Sequence, residues 1–142
     1  MAIRLKTQTG YFADTFVVDG SELKYRELDD EALTAYHASL GQARVLLQEL
    51  SGISMDNAGL DELAEVNQKL QFVTGEQFVS VRQVTEAVYD SVIVPGLVGW
   101  DLEEPCNEDN KKALPNWVKL ALAKRIVGDS FLTERDRSFL AR

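Results

Sequence analysis

The sequence contains one cysteine, one histidine and three prolines among 142 residues. A lone cysteine, Cys106, excludes an internal disulfide and with it a disulfide-stapled scaffold. His37 and Cys106 lie far apart in sequence, so no pair of zinc ligands occurs at short spacing. A catalytic triad needs a nucleophile, a base and an orienting group. His37 sits inside a helical pattern between Tyr36 and Ala38, where an ordinary helix residue is the simpler reading. Cys106 stands among carboxylates, poor company for a thiolate nucleophile. There is no glycine-rich phosphate loop, Walker sequence or GxSxG motif. Nor is there an apolar run of the ~18 residues that a membrane-spanning helix needs. The opening MAIRLKTQTGYF has two basic residues but no apolar core or small-residue cleavage site, so no secretion signal is expected. These absences point to a cytosolic, non-enzymatic chain with no catalytic residues, no cofactor and no metal.

What is present is a globular composition, 45 % hydrophobic and 27 % charged. The length suits a single domain, 1–142. The net charge is −8, and it is unevenly spread. Residues 1–110 carry 7 Lys+Arg and 20 Asp+Glu, whereas residues 111–142 carry 8 and 3. An acidic body repels phosphate, so no nucleic acid is expected as a partner, and no membrane either. The basic end reads as an ordinary helix surface, or as complementary to the acidic body of a neighbouring copy.

The fold class read from the pattern is mainly α with a small N-terminal β-hairpin, closing into a compact helical domain. Residues 1–28 form the β unit. IRLKTQ (3–8) alternates apolar and polar, TFVV (15–18) is rich in β formers, and Asp19-Gly20 is a hairpin turn pair before Leu23, Tyr25 and Leu28. Residues 29–94 form a helical body. Asp29 or Asp30 caps a first helix with the stripe Leu33, Tyr36, Leu40, Ala43, Leu47 and Leu50, ended by Ser51-Gly52. A second stripe is Leu60, Leu63, Val66, Leu70 and Val73; a third is Phe78, Val81, Val84 or Thr85, Val88 and Val92. Pro95-Gly96 is expected to end that helix.

Residues 97–110 read as an acidic loop around Trp100. Its acids Asp101, Glu103, Glu104, Glu108 and Asp109 have oxygen ligands for a divalent cation, but not in EF-hand spacing, and Pro105 breaks the register. A solvated loop is the simpler reading. Trp100 either packs the loop onto the core or anchors a partner. Residues 111–142 form basic C-terminal helices, with a helix start near Asp109–Asn110 and Pro115 in the first turn of the helix proper. Leu114, Trp117, Val118, Ala121, Leu122 and Ile126 supply the apolar face, with Trp117 expected in the core. Gly128 is expected to stop that helix, and ERDRSFLAR to form a short last one anchored by Phe131, Leu132, Phe139 and Leu140.

The stretch Val98-Gly99-Trp100-Asp101, followed by Asn107 or Asn110 and then Leu114-Pro115, resembles the tail assembly chaperone family of long-tailed bacteriophages. The phrase YRELDDEAL, Tyr25 to Leu33, is also similar to such chains. The helical middle, Leu60 to Val94, has no counterpart in that pattern. The resemblance implies a chaperone of the host cytoplasm that binds tape-measure and tail-tube proteins during tail morphogenesis. Partner-binding candidates are then Leu97, Val98, Trp100, Asp101, Phe131 and Leu132. The alternative is a structural head–tail connector or tail completion protein that forms a ring in the virion. Partners are accordingly phage tail proteins or further copies of the chain in a homo-oligomer.

Overall fold

The computed structural model describes residues 13–70 and 73–140, from 131 onward by backbone alone. The molecule is mainly helical with a small N-terminal β-hairpin. Strands β1 (Ala13–Val18) and β2 (Ser21–Arg26) pair antiparallel, with Val18 opposite Ser21. Asp19 and Gly20 form the turn, both at positive φ, 49° and 79°. That backbone matches the twist of the strands, and an Asp-Gly pair adopts it at little cost. Leu23 and Tyr25 alternate inward on β2 and are fully buried. The expected strand at 3–8 lies outside the described residues.

Helix α1 (Asp30–Ser51) begins where Asp29 accepts a hydrogen bond from the Ala32 N–H at 2.8 Å. It ends at Gly52, whose φ of 71° lets its N–H reach the Gln48 carbonyl. Between those caps it buries Ala32, Tyr36, Leu40, Ala43 and Leu47, one stripe at helical spacing. Arg44 donates to the Ala58 carbonyl and Gln48 accepts from the Met55 N–H. These bonds fold the connecting loop back so that Met55 and Ala58 enter the core. Helix α2 (Leu60–Lys69) buries Leu60, Leu63 and Val66. It stops short of Val73, because Leu70 already leaves helical geometry.

Helix α3 (Gly75–Gly96) is central, with α1 and α5 both packed on it. Its stripe is buried only in the second half, at Thr85, Val88, Val92 and Ile93. Phe78, at the head of the expected stripe, is 50 % exposed. Pro95-Gly96 ends α3 as expected, and Pro95 lies in the last turn, where its missing N–H costs a single bond. Two terminal carbonyls are taken up from outside: Lys111 Nζ donates to Val94 O at 3.0 Å and Arg26 Nε to Pro95 O at 3.3 Å.

The segment expected as one loop, 97–110, is more ordered than that. Leu97–Trp100 forms β3, antiparallel to β2, so the hairpin becomes a three-stranded sheet of order β1-β2-β3. Glu108–Lys112 forms the single-turn helix α4, capped by the Asn107 side chain. Four residues are too few to show strand alternation, and their pairing partner lies far away in the chain. Helix α5 (Asn116–Leu140) then runs on through Gly128. Gly128 is not a stop because both its flanks are anchored: Ile126 and Ser130 are buried, and Ser130 Oγ accepts from the Leu28 N–H at 2.8 Å. An interior glycine costs a helix only ~1 kcal/mol. Consequently there is no separate last helix.

One further expectation is reversed on α5. The buried face is Val118, Lys119, Leu122, Ala123 and Ile126, and Trp117 stands 58 % exposed. Trp117 and Val118 both fit a period near 3.6, and packing on α3 selected the smaller one.

Candidate functional site

Among the described residues expected to bind a partner, Leu97, Val98, Trp100 and Asp101 do not form one surface. Leu97 is fully buried in the core, which removes it from any partner surface in this conformation. Val98 is 54 % exposed, on the opposite side of the strand. Trp100 is half-buried against the core, and its indole N–H donates to the Glu104 carbonyl at 2.7 Å. Asp101 is exposed, and its Oδ1 accepts from the Glu22 N–H at 3.1 Å, continuing the β2–β3 pairing. Trp100 and Asp101 therefore have internal work that fixes the acidic loop. The side chains of Phe131 and Leu132 lie outside the described residues. Among the described residues, no group of three His, Cys, Asp or Glu could hold a metal ion. No helix is long and apolar enough to cross a membrane, again among the described residues. His37 is exposed, its ring tilted against Tyr36. Cys106 is half-buried and free.

The basic residues between 111 and 130 pair within the molecule itself. Lys119 is 3 % exposed, and its ammonium lies 2.9 Å from Asp90 Oδ1 on α3. Lys124 pairs with Asp61 of α2 at 2.8 Å, and Lys112 with Glu108 at 3.2 Å. Arg125 donates to the Tyr25 hydroxyl at 3.0 Å and lies 3.6 Å from Asp129 and 3.8 Å from Asp14. Tyr25 in turn donates to Asp129 Oδ2 at 2.5 Å. With Lys111 on the end of α3, each of the five cations between 111 and 130 has a partner within the chain. The acidic body and basic helix are complementary inside one molecule. Burial, then the bond to Asp129, holds the Tyr25 hydroxyl above its ordinary pKa. The bond to Tyr25 raises the Arg125 guanidinium likewise.

A recess of about 450 Å³ lies between the start of α1, the end of α3 and α4, lined by Asp29, Asp90, Glu108 and Lys112 among others. Its polar groups serve the fold: Asp29 caps α1, Asp90 faces Lys119 and Glu108 pairs with Lys112.

A recess of about 810 Å³ beside α1 is lined by Arg44, Gln48, Met55 and Asn57 among others, and there Arg44 and Gln48 already bond the connecting loop. Another candidate is apolar. A groove of about 440 Å³ runs between α2, the first half of α3 and the start of α5. Leu70, Val73, Phe78 and Val81 line it, and Arg82, Glu86 and Asn116 stand among its walls. Asn67 Nδ2 donates to the Thr85 hydroxyl at 3.1 Å within the groove, and Thr85 donates on to Val81 O, so these polar groups are already satisfied. No residue from Gly75 to Val84 is buried. Phe78 and Val79 are 50 % and 49 % exposed, and Trp117 follows Asn116 at the mouth of α5. Phe78 and Val81 thus leave an apolar strip partly in water along the groove. Sequence reasoning missed it because Phe78 keeps the helical spacing of a core residue. The available clue was the low charge of Gln77–Val81 and Gln83–Thr85 in an acidic chain.

No known protein family, curated protein or solved structure matches this chain.

Proposed function

We propose that this chain is a non-enzymatic tail assembly chaperone of a long-tailed bacteriophage. It acts in the host cytoplasm and holds apolar segments of tape-measure or tail-tube proteins while the tail is built. The observation that carries the reading is the open apolar groove at Leu70, Val73, Phe78 and Val81. An amphipathic helix laid into such a groove hides its apolar face until it is handed on. The net charge of −8 keeps chaperone and client soluble together. The resemblance of Val98 to Asp101 and of Leu114-Pro115 to that family suggests the client class, and the groove's apolar lining supports this reading.

Head-to-tail ring contacts between the basic end and acidic body would need free cations. The five between 111 and 130 are engaged internally and are not available for such contacts.

The test is affinity capture of the tagged full chain from phage-producing cells, with mass spectrometry of what it holds. Tape-measure or tail-tube protein is expected with the wild type and lost with Phe78→Ser. Capture of portal or capsid protein, or many copies of this chain in the finished particle, would overturn the proposal.

A further inference from the structure

The groove also bears on what the protein does before a client arrives. The first ten residues of α3, Gly75 to Val84, extend about 15 Å without burying one side chain. Phe78 and Val79 leave this half-helix largely in water, and Val81 and Val84 are only half-covered. Charge decides which occupant suits it. The chain carries −8 in total, yet the only charged groups lining the groove are Arg82 and Glu86, which cancel. A strongly cationic partner would be drawn to the acidic faces instead. Two copies of an acidic protein repel each other over most of their surface and approach with least repulsion where net charge vanishes. A twofold contact further requires a patch complementary to itself. One exposed cation and one anion beside an apolar strip satisfy that condition. Arg82 Nε lies 3.1 Å from Glu86 Oε1 one turn along the same helix, in a solvent-exposed pair that is worth little where it stands. The same two groups can pair across a twofold axis, Arg82 of one copy with Glu86 of the other.

We infer that the free protein forms a twofold dimer through the α2–α3 groove, which covers Phe78 and is displaced by the client. The inference rests on the groove being the client site, and it assigns that site a self-masked resting state. The contact is small, so dissociation falls in about the micromolar range that a client can outcompete.

Sedimentation velocity of the full chain across a concentration series tests this. The wild type is expected to move from monomer to dimer, and Phe78→Asp to remain monomeric. Arg82→Glu places two like charges on the patch and is expected to weaken the dimer at least about tenfold, and the double exchange Arg82→Glu with Glu86→Arg to restore it. Val45→Asp, at an exposed apolar position on α1, should leave association unchanged. A wild type that stays monomeric throughout, or a dimer indifferent to Phe78→Asp and Arg82→Glu, overturns the inference. A monomeric wild type that still captures tape-measure protein would sink the dimer alone. A groove-dependent dimer that captures no tail protein would sink the client reading alone.

Discussion

At the residue scale the decisive exchange is on α5, where Lys119 goes inside and Trp117 stays out. A buried ammonium is tolerable only beside its counter-charge, and Asp90 provides it. Removing one partner strands the other. Lys119→Ala is expected to lower unfolding free energy by about 3–5 kcal/mol, read from urea titration. Lys119→Met combined with Asp90→Leu should recover most of that loss, since an apolar pair of similar volume needs no compensation. A double variant as weak as the single one would mean that the ion pair is not the cause. Tyrosine protonation gives a second prediction. Burial raises the hydroxyl pKa of Tyr25, Tyr36 and Tyr89. A raised folded pKa favours the neutral form, so this stability is complete below the unfolded value of about 10 and is lost as pH rises through the folded one. Urea midpoints should therefore hold between neutral pH and about 9 and fall above 10, less steeply in Tyr25→Phe.

At the scale of elements, glycines separate helix propensity from packing. Gly128 lies within α5 with open space where a Cβ would sit. Gly128→Ala should stabilise the chain by about 0.5–1 kcal/mol and raise Tm in calorimetry. Gly96 ends α3 where a Cβ would lie 3.0 Å from Ile126 Cδ1 and 3.1 Å from its Cγ2. Gly96→Ala should lower Tm, because Ile126 is fully buried and has little room to yield. Equal responses at the two positions would contradict the described crossing of α3 and α5. These helices also show what periodicity conveys. The stripe of α1 was legible because its middle, Tyr36, Leu40, Ala43 and Leu47, is buried, with Leu33 and Leu50 half-buried at its ends. The stripe of α3 has the same spacing, yet none of its first ten residues, Gly75 to Val84, is buried.

At the scale of the whole molecule, two sets of long-range bonds join the ends of the chain. β3 returns to pair with β2, and α5 reaches the β unit through Tyr25, Arg125, Asp129 and Ser130. Phe78 lies apart from these bonds and, half exposed, outside the core. Phe78→Ser should therefore change the urea midpoint by no more than about 0.5 kcal/mol equivalent, the scale of surface substitutions, while abolishing client capture. A large stability loss in Phe78→Ser would mean that Phe78 is structural.

Local chemistry determined much of this protein. The Asp19-Gly20 turn, the Asp29 cap, the Gly52 stop and the α1 and α2 stripes follow from residues close to one another, whose steric and hydrogen-bonding preferences act within a few positions. Tertiary structure decided the rest: that Leu97–Trp100 is a strand, that Gly128 does not break its helix, that Lys119 is inside and that Phe78 is not. Each depends on a partner distant in sequence. Strand pairing needs a neighbour, a helix tolerates a breaker when packing holds both sides, and burial depends on what lies opposite.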